Sequence, residues 1–345
     1  MSHPDPTPPG AAIFGCSATQ LSDDERAFFK ESDPLGFILF ARNIEAPDQV
    51  KALVADLRDS VGRAEAPVLI DQEGGRVARL PPPHWREAPP ALRFGELALV
   101  DRFVAAEAVA LNSRLIAQEL HALGIDVDCL PLLDIPAPDG HGIIGDRAYG
   151  DDPDLVAMLG RAACGGLLAG GVLPVIKHVP GHGRARVDSH QDLPIVEASL
   201  DDLTARDFQP FKALSEMPIG MTAHVIYTDI DPDRPATTSS EVISKVIRRL
   251  IGFDGLLLTD DIGMSALSGA MGLRARAALA AGCDVVLHCS GKLDEMVAVA
   301  DSISPLNEAA EDRFRRARKQ FRVPEAFDAA AADHHIAELL KVAQA

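Results

Sequence analysis

Between Lys177 and His190 the chain reads KHVPGHGRARVDSH, which sets His178, His182, His190 and Asp188 beside Lys177 and two arginines. Side chains of these types can hold a metal ion, bind a polar ligand or move a proton. Asp188 and His190 are two residues apart, so in extended chain they lie on the same side. The carboxylate can then orient the imidazole and raise its pKa, as in an acid/base dyad. A zinc-type site would recruit His178, His182, His190 and Asp188. Against it stand the lack of an HxH or HExxH pair and the ammonium of Lys177, which would lie beside the cation. Lys177 and His178 suit hydrogen bonding to hydroxyl or carboxylate groups better, so neither a metal nor a cofactor is expected.

A second pair of chemically useful groups, Asp260 and Asp261, follows the apolar run LLLT. Adjacent side chains at a strand end point in opposite directions. Asp260 is expected to face inward, and Asp261 to cap the following helix, where a carboxylate is favoured.

The elements that must carry these groups are short apolar runs alternating with longer amphipathic segments. Strands are expected at 11–16, 36–40, 67–71, 125–131, 172–178, 219–224, 255–260 and 284–289. Most are continuously apolar, the pattern of parallel strands buried on both faces. Ser22 to Glu25 is a capping box opening a helix. Further helices are expected at 101–124, 154–170, 201–215, 239–251, 273–281 and 292–302. Eight strands with connections long enough for crossover helices predict a (β/α)8 barrel forming one domain over 1–345, with extra C-terminal helices packed around the outside. An open doubly wound sheet would want a glycine-rich phosphate loop after its first strand, and FGCSATQ is not one. In a barrel the site lies at the C-terminal strand ends. Asp71, Lys177, His178, His224, Asp260 and His288 all fall there, which predicts a pocket for a polar ligand. Val179 to Pro194 reads as a long loop over this mouth, with Gly181 and Gly183 letting it move.

Composition narrows the class. Of 345 residues 47% are hydrophobic and 24% charged, with a net charge of −18, which suits a soluble globular protein and argues against nucleic acid or an anionic membrane as partner. The N-terminus lacks the pattern of a signal peptide, and no apolar run approaches membrane-spanning length. Five cysteines without a CxxC pair predict reduced, buried thiols in a cytoplasmic protein. No exposed apolar seam stands out, which favours a monomer.

Taken together, IDQEGGRVARL (70–80), GDRAYGDDP (145–153), KHVPGHG (177–183), DSH (188–190) and GFDGLLLTDDIGMSAL (252–267) resemble glycoside hydrolase family 3, and within it the single-domain bacterial β-N-acetylglucosaminidases of cell-wall recycling. Val179, where the family often has Phe, and Leu250, where it often has Glu or Gln, are small departures. The resemblance implies Asp260 as nucleophile, His190 as acid/base and Asp188 as its partner. It further implies that Asp71, Arg79, Arg147, Lys177 and His178 bind the terminal sugar, and that the substrate is a muropeptide fragment ending in N-acetylglucosamine. Such a site would work by retaining double displacement, with a histidine in place of the usual second carboxylate. A metal-dependent barrel hydrolase and a phosphorylase acting on the same sugar remain as alternatives.

Overall fold

The computed structural model describes residues 8–137, 142, 144–185 and 193–342. In chain order its strands are β1 (Gly10–Gly15), β2 (Pro34–Leu39), β3 (Val68–Ile70), β4 (Val127–Asp128), β5 (Leu173–Val179), β6 (Ile195–Val196), β7 (Ile219–Thr222), β8 (Ile226–Tyr227), β9 (Leu256–Asp261) and β10 (Val285–His288). Eight of them close a parallel barrel in the order β1-β2-β3-β4-β5-β7-β9-β10, with β10 returning to β1. The expected (β/α)8 barrel is the observed fold. The short strands β6 and β8 form a separate parallel pair outside the barrel sheet.

The apolar runs are continuous because both faces of each strand are covered. Ile13, Leu35, Leu69, Val127, Val175, Leu258 and Leu287 fill the barrel interior. Phe14, Phe37, Val68, Ile176, Leu257 and Val286 pack outward against the helices. Each such side chain contributes about 1.5–3 kcal/mol by leaving water.

The helices start and stop where local chemistry requires. Ser22 caps Asp23–Ser32 in a reciprocal box with Glu25. Asp101 accepts from the amides of Phe103 and Val104 to open Arg102–Ala122, and Gly124, at φ +79°, turns the chain toward β4. Three expectations need correcting. The segment 201–215 is two short helices, Leu200–Ala205 and Gln209–Ala213. Helix Val242–Ile251 is wound in the wider π form. Helix Glu308–Arg318 does not lie outside the barrel: Leu306, Ala310 and Ala317 join the interior residues of the strands and close the barrel floor. The last helix, Ala329–Val342, does pack externally, against Ala91–Ala98 and Arg102–Ala122. No helix among the described residues is long and apolar enough to cross a membrane.

Candidate active site

The floor of the C-terminal mouth is a chain of charges of alternating sign. Lys177, at the end of β5, donates to Asp71 Oδ1 at 2.8 Å and lies 2.7 Å from Glu73 Oε1. Arg79 closes one end of the chain on Asp71 Oδ2 at 3.2 Å. Arg147 closes the other, gripping both oxygens of Glu73 at 2.9 and 2.7 Å. The Lys177 side chain is 2% exposed and that of Glu73 4%, so these charges are stable only because each has a partner. Burial alone would raise both carboxyls. Lys177 and the arginines together outweigh it, holding Asp71 well below the usual carboxylate range and Glu73 down to about 2. Burial would likewise lower Lys177, but Asp71 and Glu73 raise it.

Because Glu73 ionises more easily in the folded chain than in the unfolded one, its contribution to stability is present above about pH 4.5 and lost as pH falls toward 2. Asp71 acts in the same direction. Thermal melts from about pH 5 to about pH 3 should therefore fall less steeply for Glu73→Gln than for the wild type. Equal slopes would show that the Glu73 carboxylate is not held by these cations.

Beside this floor stands Asp260. Its Oδ1 accepts the backbone N–H of Asp261 at 2.8 Å, and its Oδ2 lies 3.8 Å from His178 Nε2. Burial pushes the carboxyl of Asp260 up, but the neighbouring His178 and His224 and the Asp261 amide bring it below its ordinary value. Asp260 therefore presents an ionised oxygen to the pocket. The other nitrogen of His178, Nδ1, is 2.7 Å from Asp134 Oδ2. Asp134 is fully buried, and its Oδ1 also accepts the amides of His178 and His182 at 3.3 and 2.6 Å. His182 stands edge-on to His178 with ring centroids 5.7 Å apart, and burial brings its imidazole down to about 4.

Asp71, Arg79, Arg147, Lys177, His178 and Asp260 thus line one cavity of about 190 Å³. Its walls include Phe40, Met221, Met264 and Leu287. Phe40 is flanked by the guanidinium groups of Arg42 and Arg79, 5.0 and 5.4 Å from its ring centroid. A polar floor with apolar walls suits a ligand whose hydroxyls point one way and whose C–H faces point another.

Other expectations fail. His224 and His288 do not reach the mouth. His224 is fully buried between Thr237 Oγ1 at 2.7 Å and the Asp261 carbonyl at 3.0 Å, and His288 lies 3.2 Å from Glu295. Asp261 does not cap a helix. It accepts from the amides of Gly263 and Cys289, stitching the turn after β9 to β10. Asp188 and His190 lie outside the described residues. Gly181 and Gly183 are packed against the barrel. The Tyr227 hydroxyl donates to the Gly181 carbonyl at 2.5 Å, and Arg184 donates to buried Asp207 at 2.7 Å. A Cβ on Gly183 would fall 1.9 Å from the Ile135 carbonyl oxygen, so glycine is required there for close approach. Among the described residues no group of three or more His, Cys, Asp or Glu side chains could hold a metal ion.

Glu73 and Asp134 were missed by sequence reasoning. Glu73 lies inside IDQEGGRVARL, between Asp71 and Arg79. Asp134 follows an apolar run as many turn-forming acids do. The available signal was position alone, since both stand just beyond a barrel strand.

A barrel with an ionised carboxylate at a strand end, over a pocket of charged and polar side chains, is an arrangement that can host glycoside hydrolysis. Residues 13–321 match the model of the glycosyl hydrolase family 3 N-terminal domain, and the chain belongs to that family. It is 35% identical over 326 residues to a β-hexosaminidase of Bordetella avium, covering 92% of this chain and 91% of that one. It is 40% identical over 291 residues to a β-hexosaminidase of Alkalilimnicola ehrlichii, 81% of each chain. Among solved structures, NagZ from Neisseria gonorrhoeae in complex with N-trifluoroacetyl-D-glucosamine is similar over 97% of this chain and 99% of that one. The TM-score is 0.87 at 32% identity.

Proposed function

We propose that this chain is a retaining β-N-acetylhexosaminidase that removes a terminal N-acetylglucosamine from muropeptide fragments. The observation that carries the reading is Asp260, ionised, with one oxygen fixed by a backbone amide and the other turned to the pocket. The β-hexosaminidase relatives and the N-acylglucosamine analogue bound by the gonococcal enzyme support the choice of sugar.

Asp260 attacks the anomeric carbon as the aglycone oxygen takes a proton from His190, oriented by Asp188. Water then gives a proton to neutral His190 and displaces Asp260 from the glycosyl-enzyme. The roles of His190 and Asp188 rest on the DSH motif. Lys177, with Asp71, Arg79 and Arg147, grips the sugar hydroxyls, and His178 borders the sugar where it meets Asp260. One barrel supplies every pocket residue named, which suits a catalytic domain acting as a monomer. The five cysteines are buried and unpaired, which fits a reducing cytoplasm.

His190→Ala tests the reading. It should slow hydrolysis of a substrate with a basic alkoxide leaving group by roughly 10²–10⁴-fold, the usual share of an acid/base group. A 4-nitrophenyl glycoside, whose leaving group needs no proton, should lose less in its first step. Full activity on both substrates would remove His190 from the mechanism.

A further inference from the structure

We infer that Asp134 is a positioning residue for the second half of the reaction, acting through His178 on the departure of Asp260. The inference rests on the double displacement proposed above. Asp134 is fully buried and does not line the pocket, yet both of its oxygens are engaged: Oδ1 by the amides of His178 and His182, Oδ2 by His178 Nδ1. The ring of His178 is thereby fixed in rotation, with Nε2 facing Asp260 Oδ2 at 3.8 Å. The ring thus lies between two carboxylates, Asp134 against Nδ1 and Asp260 across from Nε2. His224, the other imidazole near Asp260, has Nε2 committed to the Asp261 carbonyl. Oδ1 of Asp260 is occupied by the Asp261 amide. His178 Nε2 is therefore the ring nitrogen that faces the oxygen left free to bond with the sugar.

This placement separates the two steps. In the first, Asp260 gives up charge as it bonds to the anomeric carbon, so a donor beside it stabilises the starting carboxylate and does not hasten attack. In the second, the water oxygen bonds to that carbon, the water proton passes to His190, and the ester C–O bond breaks. The electron pair of that bond returns to Asp260. A donor already in place stabilises the charge as it forms. A carboxylate behind the imidazole keeps the ring in place, as a buried aspartate does in other histidine-dependent sites.

The test is rapid-quench kinetics of the full-length protein on 4-nitrophenyl N-acetyl-β-glucosaminide, comparing wild type with Asp134→Asn. The expected result is a steady-state kcat lower by at least about tenfold, with a smaller loss in the rate of the first 4-nitrophenol burst. KM should fall together with kcat as the glycosyl-enzyme accumulates. Equal losses in both steps, or a lowered kcat/KM without a burst, would reduce Asp134 to a purely structural role and overturn the inference. Should Asp134→Asn not fold, His178→Gln must show the same selective loss in the second step, and its absence there overturns the inference equally. The configuration of the first sugar product from the wild type, read by proton NMR, judges the parent reading separately. An inverted product ends the double displacement whatever Asp134 does.

Discussion

Asp260→Ala is expected to lower turnover of an aryl N-acetyl-β-glucosaminide by roughly 10⁴-fold or more, the scale on which loss of a covalent nucleophile registers in other enzymes. The variant should nonetheless fold as the wild type does. The side chain is 19% exposed, its Oδ1 bonds a backbone amide of the adjacent residue, and it fills no part of the apolar core. The cost of desolvating the carboxylate and its attraction to His178 and His224 act in opposite directions, and its removal takes away both. Stability should therefore move by no more than about 1 kcal/mol. The space left at the strand end admits a small anion. Added azide can attack the anomeric carbon of an activated substrate as the phenolate departs, restoring turnover with a product of inverted configuration. Retained wild-type activity in the variant would move the nucleophile elsewhere. Unfolding of the variant would show that Asp260 is held in place for stability rather than for chemistry.

That a point substitution at one strand end can be specified so closely reflects how the fold writes itself into the sequence. Barrel strands buried on both faces appear as unbroken apolar runs, so their number, order and approximate ends are readable without any tertiary knowledge. Asp71, Lys177, His178 and Asp260 were readable for the same reason, because each ends such a run. What does not show is the identity of the partner. Lys177 meets Asp71 across 106 positions, Arg147 meets Glu73 across 74, and His178 meets Asp134 across 44. Nothing local to Glu73 or Asp134 distinguishes a bridge between two functional cations, or a brace behind an imidazole, from an acid in a turn. His224 and His288 mislead for the complementary reason. A polar residue ending a strand looks the same whether it opens onto the mouth or is buried against Thr237 or Glu295. The helix Glu308–Arg318 shows the same limit at the level of packing. Its amphipathic pattern predicts a helix but not which surface it covers, and the surface it covers is the barrel floor.

Lys177→Met should be the most damaging single change to stability among the pocket residues. Methionine approximates the length and volume of the lysine stem, so packing changes little, and the effect isolates the ammonium. Without it, Asp71 keeps Arg79 and Glu73 keeps Arg147, but the two carboxylates then share a buried space with no cation between them. Breaking a buried ion pair from one side typically costs about 3–5 kcal/mol, because the remaining charge is left uncompensated. Urea unfolding at neutral pH should show a loss of that order, together with a collapse of sugar hydrolysis. Adding Glu73→Gln should recover part of the loss, since it removes one of the stranded charges. The double-variant cycle then measures the coupling directly. Acid should also narrow the gap between Lys177→Met and the wild type, because protonation of Asp71 and Glu73 removes the charges that the ammonium compensates. If Lys177→Met proved as stable as the wild type at neutral pH, the alternating chain of charges would not depend on its central member. The proposed contact with the sugar would then be what requires Lys177.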